Sequence, residues 1–447
     1  YFLRMISGCY SYSGNVSRSF CLIHEAAFSQ GLRYYPAEAD GFRGGYYLHE
    51  RLPSDSEDIY FHDPEIDILV LFSGYIYNRG EIAGSSGFRT DDPEPVLAAR
   101  MFLKEGPDFV RRLNGDFAIF ICRPAGKQAY LFRDHAGIRP LSYSFRDGSL
   151  FFSSDNVELC RFLNADKGPD QFWLTGLFRY IDFFRTPSPE VVRLPPGHYL
   201  KFSPGGTLLT KYWDPENIRT DRKMKYDTML SDLTRLLEDS VAIRCDKRFS
   251  AGAHVTSGLD SAVVAALARK EYKSQSEFYG FSWSPSDFTT QDIPYDERDL
   301  VRSLCTSTGI TPVFSDITPD RFISNLRRFF YNGGFYIEES VAEHASARGI
   351  NLIFSGWGGD EFISTGDRGI ETDLLWHLSF RTYFRRNPVR PVKKFVRYFL
   401  EYTLFPALGI MHPSITRAFA RETRYLKRGY RRSERKALRN FYFHTSR

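Results

Sequence analysis

The hydrophobic pattern changes period near Trp213, and this constrains the fold more than any other feature of the chain. Before that point short runs such as IDILVLFSGYIYN, DFAIFICRP, QAYLFRD, SLFFSSD and GHYLKFS are separated by clusters of Gly, Pro, Asn and Asp. Short apolar or alternating runs bounded by turn residues predict stacked antiparallel sheets. After WDPENIRTDRK the pattern turns helical, and residues 226–244 place Leu230, Leu233, Leu236, Leu237 and Val241 on one helical face. Strands (GAHVT, EFYGFSW, TPVFSD, NLIFS) then alternate with helices (SAVVAALARKEY, DERDLVRSLCTSTG and others up to about Gly349). Such alternation predicts a doubly wound parallel sheet. With 447 residues the chain exceeds one ordinary core. The expectation is an α+β domain of antiparallel sheets over residues 5–212, followed by an α/β domain over residues 213–447.

Several function classes are excluded at this level. No apolar run reaches 18 residues, and the nearest, residues 395–410, is broken by Arg397, Glu401 and Pro406, so no membrane span is expected. The six cysteines are scattered without a C-x-x-C pair, which argues against a structural zinc site or a disulfide framework. A reducing cytoplasm is the simplest setting. The start, YFLRMISGCY, lacks the succession of a signal peptide; either Met5 is the true start or the chain is a fragment. Residues 381–447 hold 18 Lys or Arg against three acids, although the whole chain is only +5. That basic stretch suits an anionic partner such as nucleic acid, a membrane surface or an acidic peptide; equally, it is a helical face left unpaired.

Two strand ends carry the chemistry. In an open parallel sheet ligands bind beyond the carboxyl ends of the strands. Val255 and Thr256 lead into Ser257, Gly258, Leu259, Asp260 and Ser261, then directly into the small apolar helix AVVAALA. A strand, a loop of small residues and a helix start gather unpaired N–H groups and a positive helix end, which suits a phosphate. No G-x-x-x-x-G-K-[ST] loop is present, so no loop lysine reaches the phosphates. Asp260 in its place would repel a bare polyphosphate and calls for Mg²⁺ between them. The second strand end, residues 353–363, reads IFSGWGGDEFI. Alone it is a tight turn with capping acids. If NLIFS lies beside GAHVT, Asp360 reaches the same edge as Asp260 and completes a hard oxygen site. Ser261 as a helix cap, Asp260 as a turn residue and Phe281 as ordinary core remain open alternatives.

Both loops resemble the asparagine synthetase family, whose glutaminase domain of the Ntn-hydrolase type precedes an ATP pyrophosphatase domain. The family's S-G-G-L-D-S and S-G-x-G-x-D-E loops correspond to residues 256–261 and 355–361. LNGDFAIFICRPAGKQAYLFRDHAGIRPLSYS from Leu113, FFSSD from Phe151, LPPGHYLKF from Leu194 and YWDP from Tyr212 match as well, so the resemblance runs from about residue 5 to 365. It implies ATP-dependent amide formation: a carboxylate attacks the α-phosphate, pyrophosphate leaves, and a nitrogen nucleophile displaces AMP. Carried over, Asp260 and Asp360 hold Mg²⁺, and Thr256, Ser257, Gly258, Leu259, Ser261, Ser355 and Gly356 surround ATP and pyrophosphate. Val255, Phe281 and Ser282 flank adenosine, while Trp357 and Glu361 face the substrate pocket. Glu361 also suits a helix start.

Three departures narrow the expectation. Glutaminase members begin Met-Cys, and here Ile6 stands at the nucleophile position, where it cannot attack an amide. Cys9 is internal and reads as a small buried hydrophobe. The glutamine-binding string N-G-E-I-Y-N appears as Ser73, Gly74, Tyr75, Ile76, Tyr77 and Asn78, losing the oxyanion amide and the amine-binding acid. One oxyanion donor alone is worth about 3 kcal/mol. Asp92 is retained, so a folded but inactive glutaminase domain is expected. At Trp357, asparagine synthetases usually carry an acid and β-lactam-forming members a Tyr; an indole can neither take a proton nor pair with an ammonium. Both losses suit members whose amine and carboxylate belong to one substrate, as in β-lactam synthetases and, more closely, lasso-peptide cyclases. Tethering can contribute roughly 7 kcal/mol.

The family's pyrophosphate-stabilising lysine cannot be assigned among Lys393, Lys394, Lys427 and Lys436, and the chain ends early enough after Asp360 to suggest truncation. The leading expectation is an ATP-dependent ligase acting on a small molecule or peptide that carries both a carboxylate and an amine, with a peptide-delivering partner conceivable. Alternatives are an asparagine synthetase using ammonia or glutamine, and a non-catalytic nucleotide-binding regulator. A nucleic-acid substrate is not expected, since thiolating pyrophosphatases need reactive cysteines near the loop.

Overall fold

The computed structural model describes residues 4–14, 32–49, 58–86, 89–164, 186, 188–219, 221, 223–283, 297–315, 318–320, 323, 336–359, 370–387, 392–405 and 408. The N-terminal half holds strands β1 (Arg4–Tyr10), β2 (Leu32–Ala39), β3 (Phe42–His49), β4 (Tyr60–Asp63), β5 (Ile68–Ile76), β6 (Gly115–Arg123), β7 (Gln128–Arg133), β8 (Ser142–Arg146), β9 (Ser149–Ser153), β10 (Val192–Arg193), β11 (His198–Ser203) and β12 (Gly206–Lys211). They form two six-stranded sheets, ordered β10-β8-β9-β1-β3-β2 and β12-β11-β7-β6-β5-β4, with every pairing antiparallel.

The sheets meet face to face. Phe42 stacks on Phe120 at 4.8 Å and Phe120 on Phe152 at 4.4 Å, inside a cluster that draws Ile6 and Tyr46 from one sheet and Leu69, Leu71 and Leu131 from the other. Helices α1 (Arg79–Ser86) and α2 (Glu94–Glu105) cover the outer face of the second sheet, where Phe72, Leu97, Phe102, Phe109 and Phe117 are buried together. On the outer face of the first sheet, helix α3 (Asn156–Asn164) packs Leu159 and Cys160 against Cys9 and Phe151. β5 is therefore buried on both faces, which explains why ILVLFSGYI reads as a continuous apolar run and not as an alternation. This is the expected domain of stacked antiparallel sheets, in four layers.

The chain continues through α4 (Tyr226–Ala242), β13 (Ala251–His254), α5 (Leu259–Glu271), β14 (Tyr279–Ser282), α6 (Arg298–Thr308), β15 (Thr311–Phe314), α7 (Tyr336–Ser346) and β16 (Leu352–Phe354). The four strands form a parallel sheet in the order β15-β14-β13-β16. Ala251, Ala253 and Val255 turn one face toward Ala265 and Ala268 of α5 and Cys305 of α6. On the other face Phe281 and Val313 meet Val341 and Ala345 of α7. Helices thus cover both faces, as a doubly wound sheet requires.

α4 forms where its periodicity predicts, and its apolar face is largely uncovered: Leu230, Leu233 and Leu236 are 49%, 43% and 54% exposed, and Val241 alone of the five enters the core. Periodicity places residues on a common face; it does not supply the surface that covers them.

From Trp357 onward the described residues belong to a separate compact unit. Of its helices α8 (Ile370–Trp376), α9 (Phe380–Arg386) and α10 (Val392–Phe399), the last two share an aromatic cluster in which Phe384 stacks on Phe395 and Tyr383 meets Phe399 edge-on, while the Tyr398 hydroxyl donates to Glu371 of α8 at 3.3 Å. No helix among the described residues is long and apolar enough to cross a membrane.

Candidate active site

β13 is the topological switch point of the parallel sheet. The chain moves from β13 to β14 and β15 on one side, then returns to place β16 on the other. The crevice beyond two strands of this kind is where ligands sit in open α/β sheets. β13 and β16 run in register, with Ala253 opposite Phe354, so the loops that follow them leave the same edge side by side.

The first loop is closed by its own hydroxyls. The Thr256 N–H donates to Ser261 Oγ at 3.1 Å, Thr256 Oγ1 and Ser261 Oγ lie 2.8 Å apart, and the Gly258 N–H donates to Thr256 Oγ1 at 3.0 Å. Ser261 Oγ also donates to the Gly258 carbonyl at 3.1 Å. Ser261 is buried and so shapes the turn from inside. α5 begins with Gly258 at its N-cap and no side chain capping it, which keeps the helix start available for an anion. Leu259 is exposed, and Asp260 stands half-exposed in the first helical turn, positioned to offer a hard oxygen ligand.

The second loop touches the first through backbone. A Cβ on Gly356 would lie 2.4 Å from Ser261 N and 2.6 Å from the Asp260 carbonyl carbon, closer than any side chain tolerates. Glycine at 356 is what lets the two loops meet. Ser355 is exposed beside it. Trp357 opens the second unit and is 67% exposed. Asp360 and Glu361 lie outside the described residues.

The predicted adenosine-flanking residues are placed differently from one another. Val255 and Phe281 are fully buried in core clusters on opposite faces of the sheet, and the Val255 N–H donates to the Phe281 carbonyl at 2.8 Å. Their side chains are core, so a nucleotide could meet only their backbone. The Ser282 carbonyl accepts both the N–H and the hydroxyl of Ser315.

Sequence reasoning missed Glu297, just ahead of α6, which accepts a hydrogen bond from Ser257 Oγ at 2.5 Å. An acid immediately before a helical run was the available signal, and it reads equally as an ordinary helix-start acid.

At the glutaminase position, Ile6 sits in the middle of β1, opposite Tyr46, with no exposed surface. The pocket residues are engaged with one another. The Arg4 guanidinium lies 4.5 Å from the Tyr75 ring centroid, donates to the Gly74 carbonyl at 3.0 Å and pairs with Asp58 at 3.3 Å. Ser73 Oγ donates to the Arg4 carbonyl at 2.8 Å. Phe249 meets the Tyr75 ring edge-on, and burial pushes the Tyr75 hydroxyl above its ordinary value. Gly74 has φ +140, and a Cβ there would strike the Asp116 carbonyl oxygen. Asp92 is ion-paired with Arg100 and accepts the Arg89 N–H.

Comparison with known proteins agrees with this two-part architecture. Residues 60–213 match a glutamine amidotransferase domain, and residues 232–440 match asparagine synthase. The chain belongs to the asparagine synthetase family. It is 23% identical over 312 residues to asparagine synthetase [glutamine-hydrolyzing] 1 of Bacillus subtilis, covering 65% of this chain and 46% of that protein. It is 27% identical over 342 residues to amidase chyE of Penicillium rubens, covering 70% and 49%. A putative asparagine synthetase of Mycobacterium tuberculosis is 25% identical over 331 residues, covering 66% and 47%. The chain thus spans about half the length of these curated relatives.

Proposed function

We propose that this family member is an ATP-dependent amide-forming ligase, which adenylates a carboxylate with release of pyrophosphate and then lets an amine displace AMP. The observation that carries this reading is the backbone contact of Gly356 with Asp260 and Ser261 at the switch point of the sheet. It joins the two loops whose residue types suit a polyphosphate. Ser257, Gly258 and the uncapped start of α5 would receive the phosphates. Asp260, with Asp360, would hold Mg²⁺, which supplies charge neutralisation between the carboxylates and the phosphate oxygens.

The substrate we assign is a peptide, or a smaller molecule, whose amine and carboxylate are joined in one ring-closing amide. Two features support it. Among the residues expected to form the glutamine site, Tyr75 is covered by the Arg4 guanidinium, and Ile6, at the expected nucleophile position, is buried. Trp357 offers no charge to a free amino acid. We assign a domain boundary near Trp213 and an N-terminal domain without glutaminase activity. A reducing, cytoplasmic setting suits the five described cysteines, none of which is in a disulfide. A second reading, asparagine synthesis from aspartate and ammonia, is favoured by the names of two of the relatives.

The test incubates the full chain with ATP, Mg²⁺ and a peptide bearing a free N-terminal amine and an Asp or Glu side chain. AMP, pyrophosphate and a product lighter by one water are expected, and Asp260→Ala should remove all three. Asparagine formed from aspartate and ammonium chloride selects the second reading, and an unchanged rate in Asp260→Ala sinks both.

A further inference from the structure

The same edge of the parallel sheet carries a cluster of polar side chains apart from the loops at Thr256 and Ser355. His254 ends β13, two residues before Thr256, and is 6% exposed. Its ring lies 4.8 Å from the ring of Trp283, the residue that follows β14. Its Nε2 lies 3.3 Å from a carboxylate oxygen of Glu338, in the first turn of α7. The contact is close enough for an ion pair but is not aligned as a hydrogen bond. Both ring nitrogens of His254 and the indole nitrogen of Trp283 are buried and have no hydrogen-bond partner among the described residues.

Among the described residues His254 Nδ1 and the Trp283 indole nitrogen have neither a hydrogen bond nor an ion pair, and two such buried nitrogens in one place are costly, each at about 1–3 kcal/mol. The neighbouring strand positions Ala253 and Val255 show that small apolar side chains fill this sheet without that cost. Glu338 keeps 15% of its side chain in contact with solvent, against 8% for His254, so it is the more accessible member of the pair. A partly exposed carboxylate, backed by an imidazole and beside an unpaired indole N–H, is matched by a group that offers N–H donors next to a carbonyl. A primary amine close to a carbonyl, as at a peptide N-terminus, has this form.

We infer that Glu338 receives the amine of the substrate, with His254 as its positioning residue and the Trp283 N–H left to donate to the neighbouring substrate oxygen. The inference rests on the adenylation reading only for what the amine does next. In that step the amine nitrogen bonds to the acyl carbon, the bond from that carbon to the AMP phosphate oxygen breaks with its electron pair leaving on AMP, and the amine's proton passes to the Glu338 carboxylate.

The test uses the full chain and n-butylammonium chloride as probe, reading the indole N–H resonance that disappears in Trp283→Phe. A saturable shift is expected with n-butylammonium and none with tetramethylammonium, which has no N–H to donate. Glu338→Gln should weaken the response at least tenfold, while Glu343→Gln on the same helix should not alter it. If Glu338→Gln does not fold, Glu338→Asp replaces it, since it draws the carboxylate back by one methylene and should also bind more weakly. No saturable shift in the parent chain, an equal response to tetramethylammonium, or an undiminished response in the folded Glu338 variant overturns the inference. Asp260→Ala separates the two readings. Amine binding without pyrophosphate release in the parent chain sinks the ligase reading alone, and pyrophosphate release without amine binding sinks this one alone.

Discussion

Gly356 shows how one missing side chain holds a site together. A methyl group there would overlap the backbone of Asp260 and Ser261, which cannot swing aside as a flexible side chain would. Gly356→Ala should therefore push the two loops apart, costing about 2 kcal/mol by overpacking and removing pyrophosphate release. Urea denaturation and a pyrophosphate assay measure the two effects, and full activity in the variant would disprove the loop contact. The glycine itself was legible in the sequence, as was the pairing of two small-residue loops. Its reason was not, because the atoms it makes room for lie about a hundred positions earlier. Glu297 and the His254–Trp283–Glu338 group escaped for the same reason: each partner is unremarkable in its local stretch, and only the fold brings them together.

Single strands and helices were read well where their own period decided the outcome and less well where a neighbour did. β1 illustrates the first case. Arg4, Met5 and Ile6 are successive members of a strand paired to β3, and the Ile6 side chain is fully buried between the sheets. A nucleophile has to be reached by its substrate and served by a base, so Ile6→Cys, buried at the same place, should produce no glutamine hydrolysis. Glutamate release from glutamine is the measurement, and a substantial rate in this variant would refute the account of the pocket. α4 illustrates the second case, since its leucines share a face as their spacing requires and yet remain exposed. Val255 and Phe281 are a third. Their place at the carboxyl ends of neighbouring strands was readable, but the alternation of a strand sends their side chains into the core.

Across the whole molecule, the antiparallel sandwich and the parallel sheet are linked through side chains from the stretch between them. Arg244, just after α4, lies 4.5 Å from the Tyr77 ring centroid and reaches Asp116, while Phe249 meets Tyr75. His135 sits deeper in the sandwich, edge-on to Tyr212 and Trp213, and burial holds its imidazole below the ordinary value. A depressed value means the unfolded chain takes up the proton first. Its contribution to stability is therefore complete above about pH 6.5 and is lost as the pH falls from there toward the folded-state value. Between about pH 8 and pH 5 the parent chain should lose more stability than His135→Phe, which keeps a ring but cannot titrate. Urea midpoints at the two pH values decide it, and equal losses would count against the assignment.

The order of the parallel strands also sets a timetable. The Ser250 N–H, just before β13, donates to the Asn351 side chain, just before β16, across 101 positions of sequence. β13, β14 and β15 emerge first during synthesis and can pair as they come, leaving one side of β13 open until the last strand arrives. Contacts this distant in sequence form late, and an open strand edge invites foreign pairing while it waits. The loop from Thr256 to Ser261 is therefore made before its neighbour from β16 arrives, and on the proposed function nucleotide binding should become possible only when β16 closes the sheet.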